Sequence, residues 1–398
     1  MGRRLLEILS MFQSIRTLVE CHPIRVRPPK RGTHAMTERA AILREIGKPL
    51  EVGDIELAAL APNQVRVRIA ASGVCHSDLS MATGVLPAGA PCVLGHEGAG
   101  VVEGVGSEVH HVEVGDHVVI AWTAACGHCW FCLRGEVHLC RNAIADSYSM
   151  PYATDGDGTS LFTSMGVSSF ATATNCLGRA VIPIERDIPL DVAALVGCGV
   201  ATGAGAALNT APVEHGSSVA VIGLGGVGLA ALMASVVRGA AVVIAIDPVA
   251  ARREIAESFG ATHLIDPADG DVARQVRSVT GRRGADIVFE AVGRSATIET
   301  AIKATRRGGT TCVVGAAMPG EMVSLSAYDL FMNAKTLVGC QYGSVVPGRD
   351  FAMLLDLWRS GRMPLDRLVS RRVVLDEVND AFADLTAGRG VRTVIVND

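Results

Sequence analysis

A chain of 398 residues with 36 basic and 40 acidic side chains, a formal net charge of -4 and only 4% aromatics has neither the positive field that attracts nucleic acid or anionic lipid nor a surface for stacking bases. One ordinary core does not fill that length, so two domains are expected, and 49% hydrophobic residues with 44 glycines predict tightly packed aliphatic α/β layers.

Residues 1–35 stand apart. Arg3, Arg4, Arg16, Arg25, Arg27, Lys30 and Arg31 face only Glu7 and Glu20, and Leu5, Ile8, Leu9, Phe12 and Ile15 recur at helical spacing. Without a long apolar run the segment reads as a basic accessory extension rather than a secretory signal, and the first domain is expected to begin near Met36. From Glu38 onward the pattern is short strands and turns. In QVRVRIAASG, Val65, Val67 and Ile69 alternate with Gln64, Arg66 and Arg68, a period of two that predicts half-buried antiparallel strands.

After Ser217 the rhythm changes. Apolar strands are predicted at VAVI, AVVIAI, THLI, ADIVF, TTCVV and TLVG, with helices between them such as Ala251–Phe259 and Thr297–Ala304, which describes a doubly wound parallel sheet. Ser217 to Val237 carries no charged residue, but Gly223, Gly225, Gly226 and Gly228 at its centre favour strand, tight turn and buried helix over a membrane span. Beyond Gly343 a helix near Asp350–Ser360, a strand near Val369–Val374, a helix from Glu377 and a last strand VRTVIV are expected to rejoin the first domain. The divisions are therefore 36–200 with 345–398 for a mostly β domain, and 201–344 for the parallel sheet.

GLGGVG follows an apolar strand and opens an apolar helix, the setting in which glycines let the backbone turn sharply and approach a pyrophosphate. The helix N-terminus then offers free N–H groups and a partial positive charge to the phosphates. Asp247, at the end of the next strand, is placed to accept both ribose hydroxyls of an adenosine and to repel a 2′-phosphate, so NAD is favoured over NADP. Arg252 softens that exclusion.

The cysteines fall into two patterns. Cys126, Cys129, Cys132 and Cys140 form C-x2-C-x2-C-x7-C, in which four thiolates can close on zinc at roughly 2.3 Å and leave no vacancy, a structural site within a lobe of about residues 122–142. Cys75 in GVCHSD, His96 in GHEGAG and Cys198 in GCGVATG are dispersed. Taken together they provide three ligands and leave the fourth tetrahedral position open, which is the catalytic arrangement. Metal ligation rather than disulfide formation implies a reducing, cytoplasmic setting.

In combination and order, GVCHSD, GHEGAGVV, CGHCWFC with Cys140, GCGVATG, GLGGVG with Asp247, FEAVG and VRTVIV resemble the zinc-dependent alcohol dehydrogenases of the medium-chain dehydrogenase superfamily over about residues 38–398. The resemblance implies a GroES-like catalytic domain beside a Rossmann domain, two zinc ions and NAD, and homodimers or homotetramers built by the Rossmann edges. It implies Cys75, His96 and Cys198 as catalytic zinc ligands, with Glu97 and Asp78 behind them. His76 and Arg392 are implied at the pyrophosphate, Arg252 near the adenosine ribose, and Thr202, Val227 and Val292 elsewhere along the coenzyme. Trp122, Leu86, Ser164, Met165 and Ala316 are implied near the substrate.

The activity so implied is interconversion of primary aliphatic or aromatic alcohols with aldehydes, by hydride transfer from an alkoxide held at zinc to the nicotinamide. Ser77, next to Cys75 and His76, is placed to take the hydroxyl proton. Many members pass that proton on to a histidine three residues further along, where this chain has Ser80. A related branch oxidises thiol adducts of formaldehyde using acidic pocket residues, and Gly84 and Leu86 occupy those places here. A non-catalytic NAD-sensing scaffold and a zinc-free quinone reductase are further alternatives, and the intact ligand residues weigh against both.

Overall fold

A computed structural model describes residues 37–143 and 151–397; the basic extension expected over 1–35 lies outside the described residues. The apolar runs after Ser217 form a six-stranded, wholly parallel sheet. Its order is His263–Ile265, Val242–Ile246, Ser218–Ile222, Ala285–Glu290, Thr305–Val313 and Thr336–Gly339. Every residue of Ser218–Ile222 is buried, as expected for a strand covered by helices on both faces. The helix Gly226–Val237 lies on this sheet, and Leu229 and Leu232 are 0% exposed. Burying each contributes about 1.5–3 kcal/mol. The chain leaves Ser218–Ile222 towards one edge and returns to build the other beginning with Ala285–Glu290. That reversal opens a crevice at the carboxyl ends of these two strands, the place where such sheets bind ligands.

The first half of the chain builds two further sheets. One is a small closed barrel of Thr37–Leu43, Glu51–Leu57, Pro151–Asp155, Ser160–Thr163 and Cys92–Val93. The other is seven-stranded, with Gln64–Gly73 at its centre, where Val65, Val67 and Ile69 are fully buried as their alternation predicts. Gln64 departs from the pattern: it is 5% exposed, and its amide oxygen accepts Ala61 N at 2.9 Å, so it closes a turn. The strands Val369–Val373 and Arg392–Val396 join this sheet, the latter pairing antiparallel with Gln64–Gly73. The end of the chain thus returns to the sheet built by its beginning.

No single helix among the described residues is long and apolar enough to cross a membrane. The bent pair Leu190–Val196 and Gly199–Thr210 passes by length and composition together, and its residues sit mostly within the core.

Candidate active site

The register of the seven-stranded sheet assembles the site. Gly73 is paired with Glu97 on one side and with Val394 on the other. The central strand therefore ends two residues before Cys75, one neighbour begins at Glu97 just after His96, and the other begins at Arg392. A Cβ on Gly73 would collide with the Glu97 carboxylate and crowd the Arg392 guanidinium, so glycine is required there.

Cys75 precedes the helix His76–Ala82, whose Asp78 is completely buried. Asp78 Oδ2 accepts Cys75 N at 3.3 Å, while Oδ1 accepts Gly95 N at 3.0 Å and pairs with His96 Nδ1 at 2.9 Å. This carboxylate fixes the imidazole so that Nδ1 carries the proton and Nε2 presents its lone pair. His96 Nε2 is buried without a hydrogen-bond partner. Cys198 arrives from elsewhere, capping the helix Gly199–Gly205 with φ -144 and ψ -72, outside helical geometry. The ligand atoms of Cys75, His96 and Cys198, together with a Glu97 oxygen, all lie within 4.8 Å of one another. An orphaned imidazole nitrogen facing two thiols is the donor set zinc takes, so the residues fit the metal.

A hydrogen bond from Cys198 holds the Cys75 thiol well below its usual range, with His96 and Arg392 adding positive charge, and Cys198 is raised in turn. Burial pushes Glu97 up to about 7 against the pull of Arg392. Both Glu97 oxygens are engaged: Oε1 accepts Gly199 N at 3.1 Å and Oε2 pairs with Arg392 Nη2. Glu97 therefore ties the Cys198 loop to the last strand. Ser77 Oγ is 3.8 Å from Cys75 Sγ and half-buried. His76 is exposed, and Ser80, further along the same helix, offers a side chain too short to replace an imidazole.

Arg392 connects this cluster to the glycine turn. Its guanidinium holds Glu97 while its stem lies against Gly226, where a Cβ would collide with Arg392 Cδ. Gly223 has φ +90, and a Cβ on Gly228 would strike the Gly223 carbonyl, so the turn and its helix close only with glycine at both places. Gly225, which caps the helix, would meet nothing within 4 Å. That open cradle at a helix N-terminus fits a pyrophosphate. The Val227 carbonyl packs directly on Gly203, bringing the Cys198 helix against the glycine-turn helix, and Thr202 sits one turn beyond Cys198. Val292 is 41% exposed and covers Gly223.

Asp247 is 3% exposed, and its carboxylate accepts Leu224 N and Val249 N, each at 2.8 Å. It stitches the turn itself, a capping role that leaves each oxygen capacity for a further hydrogen bond. Arg252 Nη1 lies 3.8 Å from Asp247, its Nη2 donates to Gly388 O at 3.0 Å, and its buried Nε has no partner.

The four-cysteine lobe is local. Cys129 Sγ is 3.5 Å from Cys132 Sγ and 3.9 Å from Cys140 Sγ, and Cys126 Sγ is 4.0 Å from Cys132 Sγ. Four sulfurs at ~2.3 Å from a tetrahedral zinc would be ~3.8 Å apart, so this set also fits. The Cys132 N–H chiefly draws the Cys129 thiol down to about 6. All ten described cysteines are reduced.

The residues implied for the substrate pocket belong to several packing groups. Leu86 and Met165 pack on the cluster around Met81. Ser164 is 2% exposed and donates to Met81 Sδ at 3.4 Å, so its hydroxyl is spent on packing rather than offered to a ligand. Trp122 belongs to different clusters, near Cys198, and Ala316 lies exposed against Gly293.

The roles of two further residues emerge only in the fold. Glu290 is fully buried, and its Oε1 accepts Val292 N at 3.0 Å, Gly293 N at 2.9 Å and Thr297 Oγ1 at 2.7 Å, fixing the turn that carries Val292. A carboxylate ending an apolar strand was the available signal. Tyr342 stacks on Trp122 with ring centroids 4.5 Å apart.

Residues 61–185 match the alcohol dehydrogenase GroES-like domain and residues 226–360 the zinc-binding dehydrogenase family. The chain is 35% identical to an S-(hydroxymethyl)glutathione dehydrogenase of Saccharomyces cerevisiae, over 90% of this chain and 96% of that protein. It is 36% identical to a geraniol dehydrogenase of Castellaniella defragrans, over 91% and 98%. Among solved structures, benzyl alcohol dehydrogenase from Acinetobacter calcoaceticus superposes with a TM-score of 0.86 at 31% identity, covering 91% of this chain and 99% of that one.

Proposed function

We propose that this chain, which belongs to the zinc-dependent alcohol dehydrogenases of the medium-chain dehydrogenase superfamily, interconverts primary aliphatic or aromatic alcohols and aldehydes with NAD as coenzyme. The observation that carries the reading is the meeting of Cys75, His96 and Cys198 within 4.8 Å, with His96 Nε2 buried and unpartnered. Three ligands leave one position for substrate.

When bound, the metal supplies Lewis-acid polarisation of an alcohol or carbonyl oxygen and the nicotinamide supplies the hydride acceptor. Cys75, His96 and Cys198 would hold the metal, and Asp78 keeps the His96 imidazole lone pair aimed into the cluster. Ser77 Oγ accepts the hydroxyl proton on oxidation while passing its own on, and the exchange runs in reverse on reduction. With Ser80 where an imidazole would continue the route, water carries that proton outward. Gly225 and the helix behind it receive the pyrophosphate, with His76 and Arg392 beside it. Arg392, paired with Glu97 and lying against Gly226, links the residues that would hold the metal to the turn that would receive the coenzyme, which matters because hydride transfer depends on orientation.

Asp247 retains acceptor capacity for two ribose hydroxyls and would repel a 2′-phosphate at the same place, which supports NAD. Asp247→Gly should raise the relative efficiency with NADP by about tenfold or more, since one tenfold step corresponds to ~1.4 kcal/mol. An unchanged preference would confine Asp247 to stitching its turn. Gly84 and Leu86, at the places where the thiol-adduct branch is expected to carry acidic residues, offer no charge to hold such an adduct, which supports simple alcohols. Turnover with NAD across alcohols of graded length, with and without glutathione, tests this: oxidation of free primary alcohols is expected. Oxidation of formaldehyde only in the presence of the thiol would favour the adduct reading, and no turnover on any of them would favour an NAD-sensing role.

The edge strand Thr336–Gly339 and the helix Ala327–Met332 support a homo-oligomer. Tyr328 is 73% and Phe331 79% exposed beside an unpaired sheet edge, a surface that a second copy of the chain would cover.

A further inference from the structure

We propose that the Tyr342 hydroxyl is a strut that positions the Cys198 loop, holding the third ligand at its place opposite Cys75 and His96. This rests on the reading that those three residues bind a metal.

The starting observation is backbone strain. Tyr342, Gly343 and Ser344 have φ of 53, 64 and 50, three successive left-handed residues of which two are not glycine. Such conformations persist only where surrounding contacts over-determine them, and they gather at functional sites.

Each of the three is fastened to one partner segment. The Gly343 carbonyl accepts Asn209 Nδ2 at 3.3 Å, and Ser344 Oγ is 2.8 Å from Thr210 Oγ1. Asn209 and Thr210 lie on a π-helical turn, Ala206–Thr210, that continues the helix Gly199–Gly205. Single π turns of this kind occur frequently at functional sites. Gly343 and Gly205 pack backbone to backbone, and a Cβ on either would collide with the other. The strained turn is thus docked along the whole helix that Cys198 begins.

At the far end of that helix the Tyr342 hydroxyl donates to the Gly197 carbonyl at 2.5 Å. Gly197 closes the preceding helix Leu190–Val196, so its carbonyl is one of those a helix end leaves without an internal acceptor bond. The next residue is the ligand Cys198, in its non-helical conformation. Tyr342 is 3% exposed, and its ring lies on Trp122 at 47°. The hydroxyl therefore grips the metal loop while the ring supports the neighbouring Trp122, and substitution can separate these roles.

The test uses full-length enzyme with cobalt(II) exchanged into the Cys75, His96 and Cys198 site. Tyr342→Phe removes the strut and keeps the ring. It should shift the cobalt visible bands and speed chelator-driven loss of that metal about tenfold, as loss of outer support does at metal sites. The four-cysteine metal and the thermal midpoint should stay at wild-type values. Ser344→Ala, which frees the turn from Thr210 but leaves the hydroxyl in place, should keep the wild-type spectrum. Tyr342→Leu should in addition raise KM for an aromatic alcohol, because the support of Trp122 is lost. A wild-type spectrum and metal-loss rate in Tyr342→Phe would overturn the strut, as would an equal disturbance in Ser344→Ala. Failure of the wild-type chain to hold a metal at this site would instead overturn the metal reading beneath it.

Discussion

The two cysteine sites solve the same coordination problem by opposite means. The lobe takes all four thiols from Cys126 to Cys140, three of them half-buried, with sulfurs 3.5–4.0 Å apart. The other cluster draws Cys75, His96 and Cys198 from three places in the chain. It buries His96 completely and surrounds the ligands with Asp78, Glu97 and Arg392. A local loop can close around a metal by itself and leaves nothing for chemistry. A site assembled by sheet register can leave a position open because the fold, rather than the metal, holds the ligands. Metal removal should therefore cost stability in the lobe and activity in the cluster.

Cys198→Ala presses hardest on this contrast. It should reduce alcohol oxidation by at least about 10³-fold, corresponding to ~4 kcal/mol of transition-state stabilisation, and lower the zinc content by one per chain. The thermal midpoint should move little; turnover near the wild-type rate with one zinc lost would refute the assignment. Ser77→Ala should slow the chemical step by ~10²-fold while both metals and NAD binding remain, as single-turnover kinetics would reveal. Asp78→Asn exchanges an acceptor for a donor beneath Cys75 and His96, and should weaken the cluster metal by ~10–100-fold without touching the lobe, measured by competition with a chelator. Cys132→Ser should do the converse. The lobe metal is lost and the thermal midpoint falls by roughly 5 °C, while turnover per folded molecule stays within about threefold.

The lobe and the glycine turn were legible because their partners are close in sequence: four cysteines in one loop, and a turn between an apolar strand and helix. The six parallel strands were legible for a related reason, since each is a continuous apolar run. What could not be read depends on register. Nothing in the spacing of Gly73, Glu97 and Arg392 says that they share one strand end, and pairing across three strands is what joins them. The inward hydroxyl of Ser164 is likewise a matter of packing. The strand-end position of Asp247 points to the ribose, and the folded turn adds the two backbone N–H groups that it also serves. Tyr342 reaches Gly197 across 145 residues, a contact no local pattern encodes.

Zinc content of the purified chain, followed together with NAD-dependent oxidation of a primary alcohol during timed chelation, bears most directly on the division of labour between the two sites. Two zinc ions per chain are expected at the start. Activity should fall in proportion to loss of one of them and return when zinc is restored, while the other stays bound. One zinc per chain, or full activity after the exchangeable ion has gone, would contradict a catalytic metal at Cys75, His96 and Cys198.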